Sequence, residues 1–193
     1  MTTIVEPRVH LWTQTEYYAM AELGLFNELQ VELIEGEIID MSPMTSMHAM
    51  LIHIIQSVLH RAVGDHYLVA TQSPLDLGDV SEPQPDIAVY EGSAHDYLYK
   101  KPTHALLVIE VADTSLQYDR GKKASLYAKA GIEDYWIINV KERTVEVYRT
   151  PTTNDTQVYG FGYKLTKRLT SRDTISPLMA PDVILTVADF LPH

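Results

Sequence analysis

Asp86, Glu110 and Lys123 are the residues whose types and spacing can do chemistry. Glu110 interrupts the apolar run Ala105 to Ile109, with Val111 and Ala112 following. A carboxylate at the end of a buried strand must be solvated, paired or bound to a cation, because burying it bare is costly. Asp86 follows Pro85 and precedes the short apolar run Ile87 to Tyr90, so its backbone is extended and its carboxylate belongs at a strand edge. If the two strands are neighbours, the carboxylates converge and repel unless a divalent cation or a proton lies between them. Oxygen ligands of this kind suit Mg²⁺ or Mn²⁺ rather than zinc. Lys123 comes four residues after Asp119, one helical turn on and on the same face. A helix starting just after Glu110's strand can aim that lysine back over the strand end. There its charge would orient an attacking water or stabilise the extra negative charge of a pentacoordinate phosphorus.

Each of these residues also has a plainer reading. Pro-Asp before a strand is a turn device, and Lys123 can be a solvated partner of Asp119. Glu32, Glu35 and Glu37 crowd a hairpin, where exposed acids serve solubility. His48, His53 and His60 lack the four-residue spacing of a helical metal pair. Met44, Met47 and Met50 read as core gap-fillers, and Tyr127, Tyr135 and Trp136 as packing residues.

Positioning such side chains requires a strand–helix–strand unit. The run from Ala105, the helical stretch Asp119 to Lys129 closed by Gly131, and the apolar EDYWIINV supply one, with its strands parallel. Glu110 then sits at the carboxyl end of a sheet strand, where α/β proteins place chemistry. Upstream, Thr13 or Thr15 caps a short helix through Leu23, with Gly24 as its stop. VELIEGEIID reads as a hairpin turning at Glu35-Gly36. Ser46 caps a helix through Ala62 whose buried face is Met50, Ile54, Ile55, Val58 and Leu59, ended by Gly64. Tyr67 to Leu77 reads as a strand broken near Ser73-Pro74, and residues 91–104 as a loop. Thr144 to Arg149 hairpins back on Trp136–Val140, residues 150–156 form a turn, and the tail from Gln157 supplies two or three further strands. That tail either covers the sheet or pairs with a second subunit.

The chain has 193 residues, 46% hydrophobic and 21% charged, which fits one folded domain over 1–193 with a real core. Its formal charge of −11 argues against a general nucleic-acid coat protein while leaving room for a carboxylate cluster holding a cation. With no cysteine, disulfides and thiolate metal sites are excluded. No apolar stretch reaches the ~20 residues that span a bilayer, and MTTIVEPRVHLW lacks the features of a signal peptide. A cytoplasmic location without membrane attachment is the expectation. No aromatic platform for a two-carboxylate glycosidase and no Gly-x-Ser-x-Gly elbow is present.

Three segments in order, ELIEGEIIDMSPMTSMHA, QPDIAVY and LLVIEVADTSLQYDRGKKASLYAKAGIEDYWIIN, resemble the Uma-two family of restriction-endonuclease-like proteins, within the PD-(D/E)XK nuclease superfamily. The resemblance runs from about Thr13 to Leu191. It implies an α/β or α+β domain of restriction-endonuclease-like fold, a mixed central sheet flanked by helices with additional C-terminal strands. It further implies a Mg²⁺- or Mn²⁺-dependent endonuclease acting on DNA as a homodimer. Carried over by position, Asp86 and Glu110 are the metal-binding acids, Glu32 matches the upstream acid and a further ligand, and Lys123 matches a lysine moved from the strand to the following helix. His48 falls on the family's histidine after the Ser-Pro turn. Two positions depart from the wider pattern: Ala112 stands where the superfamily places its lysine, and Ala112-Asp113-Thr114 replaces a Ser-Pro after the strand. The rival reading is a catalytically inactive nuclease-fold module with a binding or regulatory role.

Overall fold

The computed structural model describes residues 8–191; residues 1–7 and 192–193 lie outside the described residues. Thr13 caps α1 (Gln14–Glu22) in a capping box with Glu16, and Gly24 at φ 79° follows it as the expected stop. The hairpin forms as read, β1 (Val31–Ile34) pairing antiparallel with β2 (Glu37–Asp40). Its turn holds both Glu35 and Gly36 at positive φ, the geometry of a two-residue hairpin loop. A Cβ at Gly36 would lie 2.5 Å from the Leu11 Cβ, so only glycine fits against the incoming chain.

The next helix, α2 (Ser46–Val63), ends on Gly64 as expected but takes its cap from Thr45, not Ser46. Its buried face is Leu51, Ile52, Ile55 and Leu59, whereas Met50 and Ile54 are exposed. Met50 and Ile54 fall on the exposed side with His53, Ser57, His60 and Arg61, spaced three and four residues apart, so the polar residues set the phase of the helix.

Six strands then form one mixed sheet: β3 (Tyr67–Thr71), β4 (Ile87–Glu91), β5 (Leu107–Ala112), β6 (Asp134–Asn139), β7 (Thr144–Thr153) and β8 (Phe161–Leu169), neighbours in that order. Only the β5–β6 pair is parallel. The crossover between them is a continuous helical run: α3 (Leu116–Tyr118), one π-helical turn (Asp119–Lys123) and α4 (Ala124–Lys129). β3 stops at Thr71, short of the expected Leu77.

The largest correction is at β7, which continues through Pro151 to Thr153 where a turn was expected. Proline is tolerated there because β6 pairs β7 only as far as Arg149; beyond it β7 pairs with β8 alone. The tail adds the short pair β9 (Thr174–Ile175) and β10 (Leu185–Thr186). Its last apolar stretch is a 3-10 turn, Val187–Phe190, rather than a strand.

The core lies on both faces of the sheet. Leu107, Ile109 and Val111 of β5 pack under α2 together with Trp136, Ile138 and the tail residues Phe190 and Leu191, so the tail covers the sheet. Val108 and Ala112 face the other way, against Ala124, Tyr127 and Tyr135. By the period-two alternation of a strand, Glu110 shares this second face, under the helical crossover. Among the described residues no helix is long and apolar enough to cross a membrane.

Candidate active site

β4 and β5 run antiparallel with Ile87 opposite Ile109, and one step further that register sets Asp86 against Glu110. The Asp86 backbone N–H donates to Glu110 Oε2 at 3.2 Å, and Val111 N–H donates to Asp86 Oδ2 at 2.8 Å. Each acid is therefore held by a backbone N–H of the other's segment, with β5 continuing two residues past Glu110 rather than ending there. The remaining oxygen of Asp86, Oδ1, lies 3.0 Å from His48 Nε2 on α2. His48 thus has a contact in the site that its spacing from other histidines could not reveal.

The crossover helix supplies the rest. Its π turn puts Ala124 N–H on the Asp119 carbonyl, five residues back, and leaves that carbonyl open to a second donor, the Tyr135 hydroxyl at 3.0 Å. Lys123, expected to lie over the strand end, projects inward and is 1% exposed. Its Nζ is 3.2 Å from Glu110 Oε1 and 2.9 and 2.7 Å from the two oxygens of Glu32. One turn further on, Tyr127 donates its hydroxyl to the same Glu110 Oε1 at 2.7 Å. Sequence reasoning placed Tyr127 only as a packing residue, although its i+4 spacing from Lys123 was a usable signal.

The hairpin acids separate by burial. Glu35 pairs with Lys129 and Glu37 with Lys122, fastening the hairpin to the outside of the crossover. Glu32 is buried, accepts Gln84 N–H at 2.9 Å and meets Lys123 rather than the Asp86–Glu110 pair. Asp119, which was expected to share the lysine's helix face, is also buried and accepts from the Ser115 hydroxyl.

Six carboxyls, Glu32, Asp40, Asp86, Glu110, Asp113 and Asp119, thus line one cleft with a single lysine. Burial pushes Glu110 up to about 8, with Lys123 opposing and Asp86, Asp119 and Glu32 adding to the rise. Burial likewise takes Asp119 up to about 6, against the Ser115 hydrogen bond and Lys123. For Lys123, burial alone would favour the neutral amine, but Glu110 and Glu32 outweigh it and raise its pKa above the ordinary lysine value. The lysine is therefore a fixed cation at neutral pH. His48 is raised too, by its bond to Asp86, with burial opposing.

The comparisons with known proteins agree on one family and one fold. The family model described as "Putative restriction endonuclease" (Uma2) matches residues 15–188. The chain belongs to the Uma2 family. Among solved structures, it is similar to one titled a "putative nuclease belonging to DUF820" from Anabaena variabilis ATCC 29413. The two are 20% identical, with a TM-score of 0.63 over 85% of this chain and 90% of the other. No curated protein matches the chain. The likeness to the Anabaena protein carries the fold: a mixed central sheet flanked by helices. The Uma2 match and that fold together support a nuclease.

Restriction-endonuclease-like proteins generally use a divalent metal, and the donor chemistry of this Uma2 site can be tested against one. Six carboxyls line the cleft against one ammonium; burial first, and the neighbouring carboxylates second, raise the proton affinity of Glu110 and Asp119. A cation bound by hard carboxylate oxygens relieves that excess of negative charge. The Asp86–Glu110 pair fits. Among the described residues, however, no three acidic or histidine side chains form a ready metal cage, and Glu32 is held on the lysine.

Proposed function

We propose that this Uma2 protein is a Mg²⁺- or Mn²⁺-dependent DNA nuclease hydrolysing phosphodiester bonds. Asp86 and Glu110 are its metal-holding acids, and Lys123 is its electrostatic catalyst. The observation that supports this most is the meeting of Asp86, Glu110 and Lys123 at one end of β5, from three separate elements, on the floor of an open cleft. A divalent cation held there would polarise the scissile phosphate and lower the pKa of bound water.

The chain's own residues divide the remaining work. Lys123, kept protonated by Glu110 and Glu32, is a donor that stabilises negative charge on the phosphoryl oxygens and does not abstract a proton. Glu32 acts by fixing that lysine, since its two oxygens are both within 3 Å of Nζ. Lys123 and Tyr127 together hold Glu110 Oε1, while Oε2, bonded only to the Asp86 N–H at 3.2 Å, is the ligand oxygen on the Asp86 side. His48 and Val111 N–H fix Asp86 in the same way. Ala112 at the superfamily's usual lysine position is then no obstacle, because the ammonium arrives from the helix instead.

Titrating the metal-free protein with Mn²⁺ and incubating it with DNA in the presence and absence of Mg²⁺ or Mn²⁺ tests the reading. Stoichiometric binding together with metal-dependent nicking supports it. DNA binding without cutting under every metal condition overturns it in favour of a non-catalytic module.

A further inference from the structure

The cleft above the acids encloses about 710 Å³, and its lining is uneven. One part is apolar: Tyr17 of α1, Phe26 and Leu29 from the turn that follows, Ile39 of the hairpin and Met44 before α2. The Tyr17 and Phe26 rings are stacked at 5.3 Å and 28°, and Leu29 is 50% exposed although nothing polar requires it to be. The charged part is acidic: Asp40, Asp113 and Asp119 join Glu32, Asp86 and Glu110. Of the chain's 15 lysines and arginines, Lys123 is the one that lines the cleft among the described residues, and its charge is already matched by Glu32 and Glu110.

A duplex is held through several phosphates, each neutralised by lysine or arginine. This lining offers no such row, and it would set flanking phosphates against carboxylates or leucine and phenylalanine. An unpaired nucleotide asks for something different. It carries flanking phosphates too, but its flexible backbone can turn them out of the cleft, so that one scissile phosphate meets the floor while the exposed base face gains from an aromatic or apolar surface. Inside a duplex that base is stacked away and out of reach.

Resting on the nuclease reading, we propose that the substrate is single-stranded or locally unpaired nucleic acid. The base of one nucleotide sits against Phe26 and Leu29 in the cleft that holds its phosphate over Asp86 and Glu110.

Fluorescence anisotropy with one labelled oligonucleotide, presented as a single strand and as a blunt duplex in Ca²⁺, tests this, with cleavage of both forms followed in Mg²⁺ and Mn²⁺. The single strand is expected to bind at least about tenfold tighter and to be the form cut, and Phe26→Ala is expected to weaken single-strand binding by about tenfold. Because Phe26 also packs on Tyr17, Leu29→Ala at a half-exposed position serves as the second variant, with a loss of a few-fold on the single strand alone. Equal or tighter duplex binding, or wild-type single-strand binding by both variants, overturns the inference. Metal-dependent cutting of the duplex alone would sink the inference and leave the nuclease reading standing. Failure to cut either form with any metal would remove both.

Discussion

Lys123 and Glu110 are thirteen residues apart in the chain and 3.2 Å apart in space, both buried, with Glu32 on the lysine's other side. A strand, a helix and a hairpin are thereby tied through one ammonium. That contact makes the site part of the fold, so substitutions there alter stability as well as chemistry.

Removing the cation leaves two buried acids, Glu32 and Glu110, with hydrogen bonds but no counter-charge. Lys123→Met is expected to cost about 3–5 kcal/mol of unfolding free energy, the usual loss on breaking a buried pair. Glu32→Gln with Lys123→Met should recover part of that stability but none of the cleavage. Urea unfolding and a nicking assay on the same samples check it; a Lys123→Met protein as stable as wild type would show that the lysine is not the site's counter-charge.

Glu110 predicts the pH dependence of the metal-free protein. Its folded-state pKa, about 8, lies above the ordinary value of 4.5, so the folded state binds the extra proton. The stability from this group is complete below the ordinary value and is lost as pH rises through about 8. Melting temperature should therefore fall between pH 5 and about 9 in wild type, and fall less in Glu110→Gln, whose amide never ionises. Identical pH profiles for the two proteins would contradict the assignment.

Tyr127 holds Glu110 without reaching the cleft. Tyr127→Phe removes the 2.7 Å hydrogen bond and is expected to weaken Mn²⁺ binding about tenfold, the typical effect of losing a residue that orients a ligand. Calorimetric titration reads this directly; wild-type affinity would reduce Tyr127 to a packing residue.

The hairpin turn tests how Glu32 is delivered. Gly36→Ala forces a strained φ of 78° and a collision with Leu11, so a loss of about 1–3 kcal/mol is expected, with weaker cleavage following the displaced hairpin. A thermal melt unchanged from wild type would mean the turn relaxes without disturbing β1.

Much of this was legible in the sequence because local chemistry is decisive where it is strong. Glu35-Gly36 between alternating apolar residues allows one turn, and a glutamate inside LLVIEVA needs a partner wherever the strand lies. Other features were hidden for physical reasons. Met50 and Ile54 were assigned inward for their apolar character, although they share the exposed side of α2 with His53, Ser57, His60 and Arg61, whose spacing carried the correct phase. Pro151 read as a turn residue by composition, yet the strand tolerates it because the β6 pairing ends two residues earlier, a fact of pairing that composition does not carry. The π turn at Asp119–Lys123 accompanies a second donor on the Asp119 carbonyl, the hydroxyl of Tyr135 sixteen positions away. His48 on Asp86 joins α2 to the residue before β4 across 38 residues, beyond any spacing rule.

The central claim is that Asp86 and Glu110 hold the cation on which phosphodiester cleavage depends. Supercoiled plasmid and its single-stranded counterpart, incubated with wild type and with Glu110→Gln in Mg²⁺, Mn²⁺ or EDTA, test it most directly. The account predicts metal-dependent cutting by wild type, none in EDTA, and at least about a hundredfold loss in the folded Glu110→Gln protein. Cutting by Glu110→Gln at the wild-type rate, or by wild type in EDTA, would contradict it.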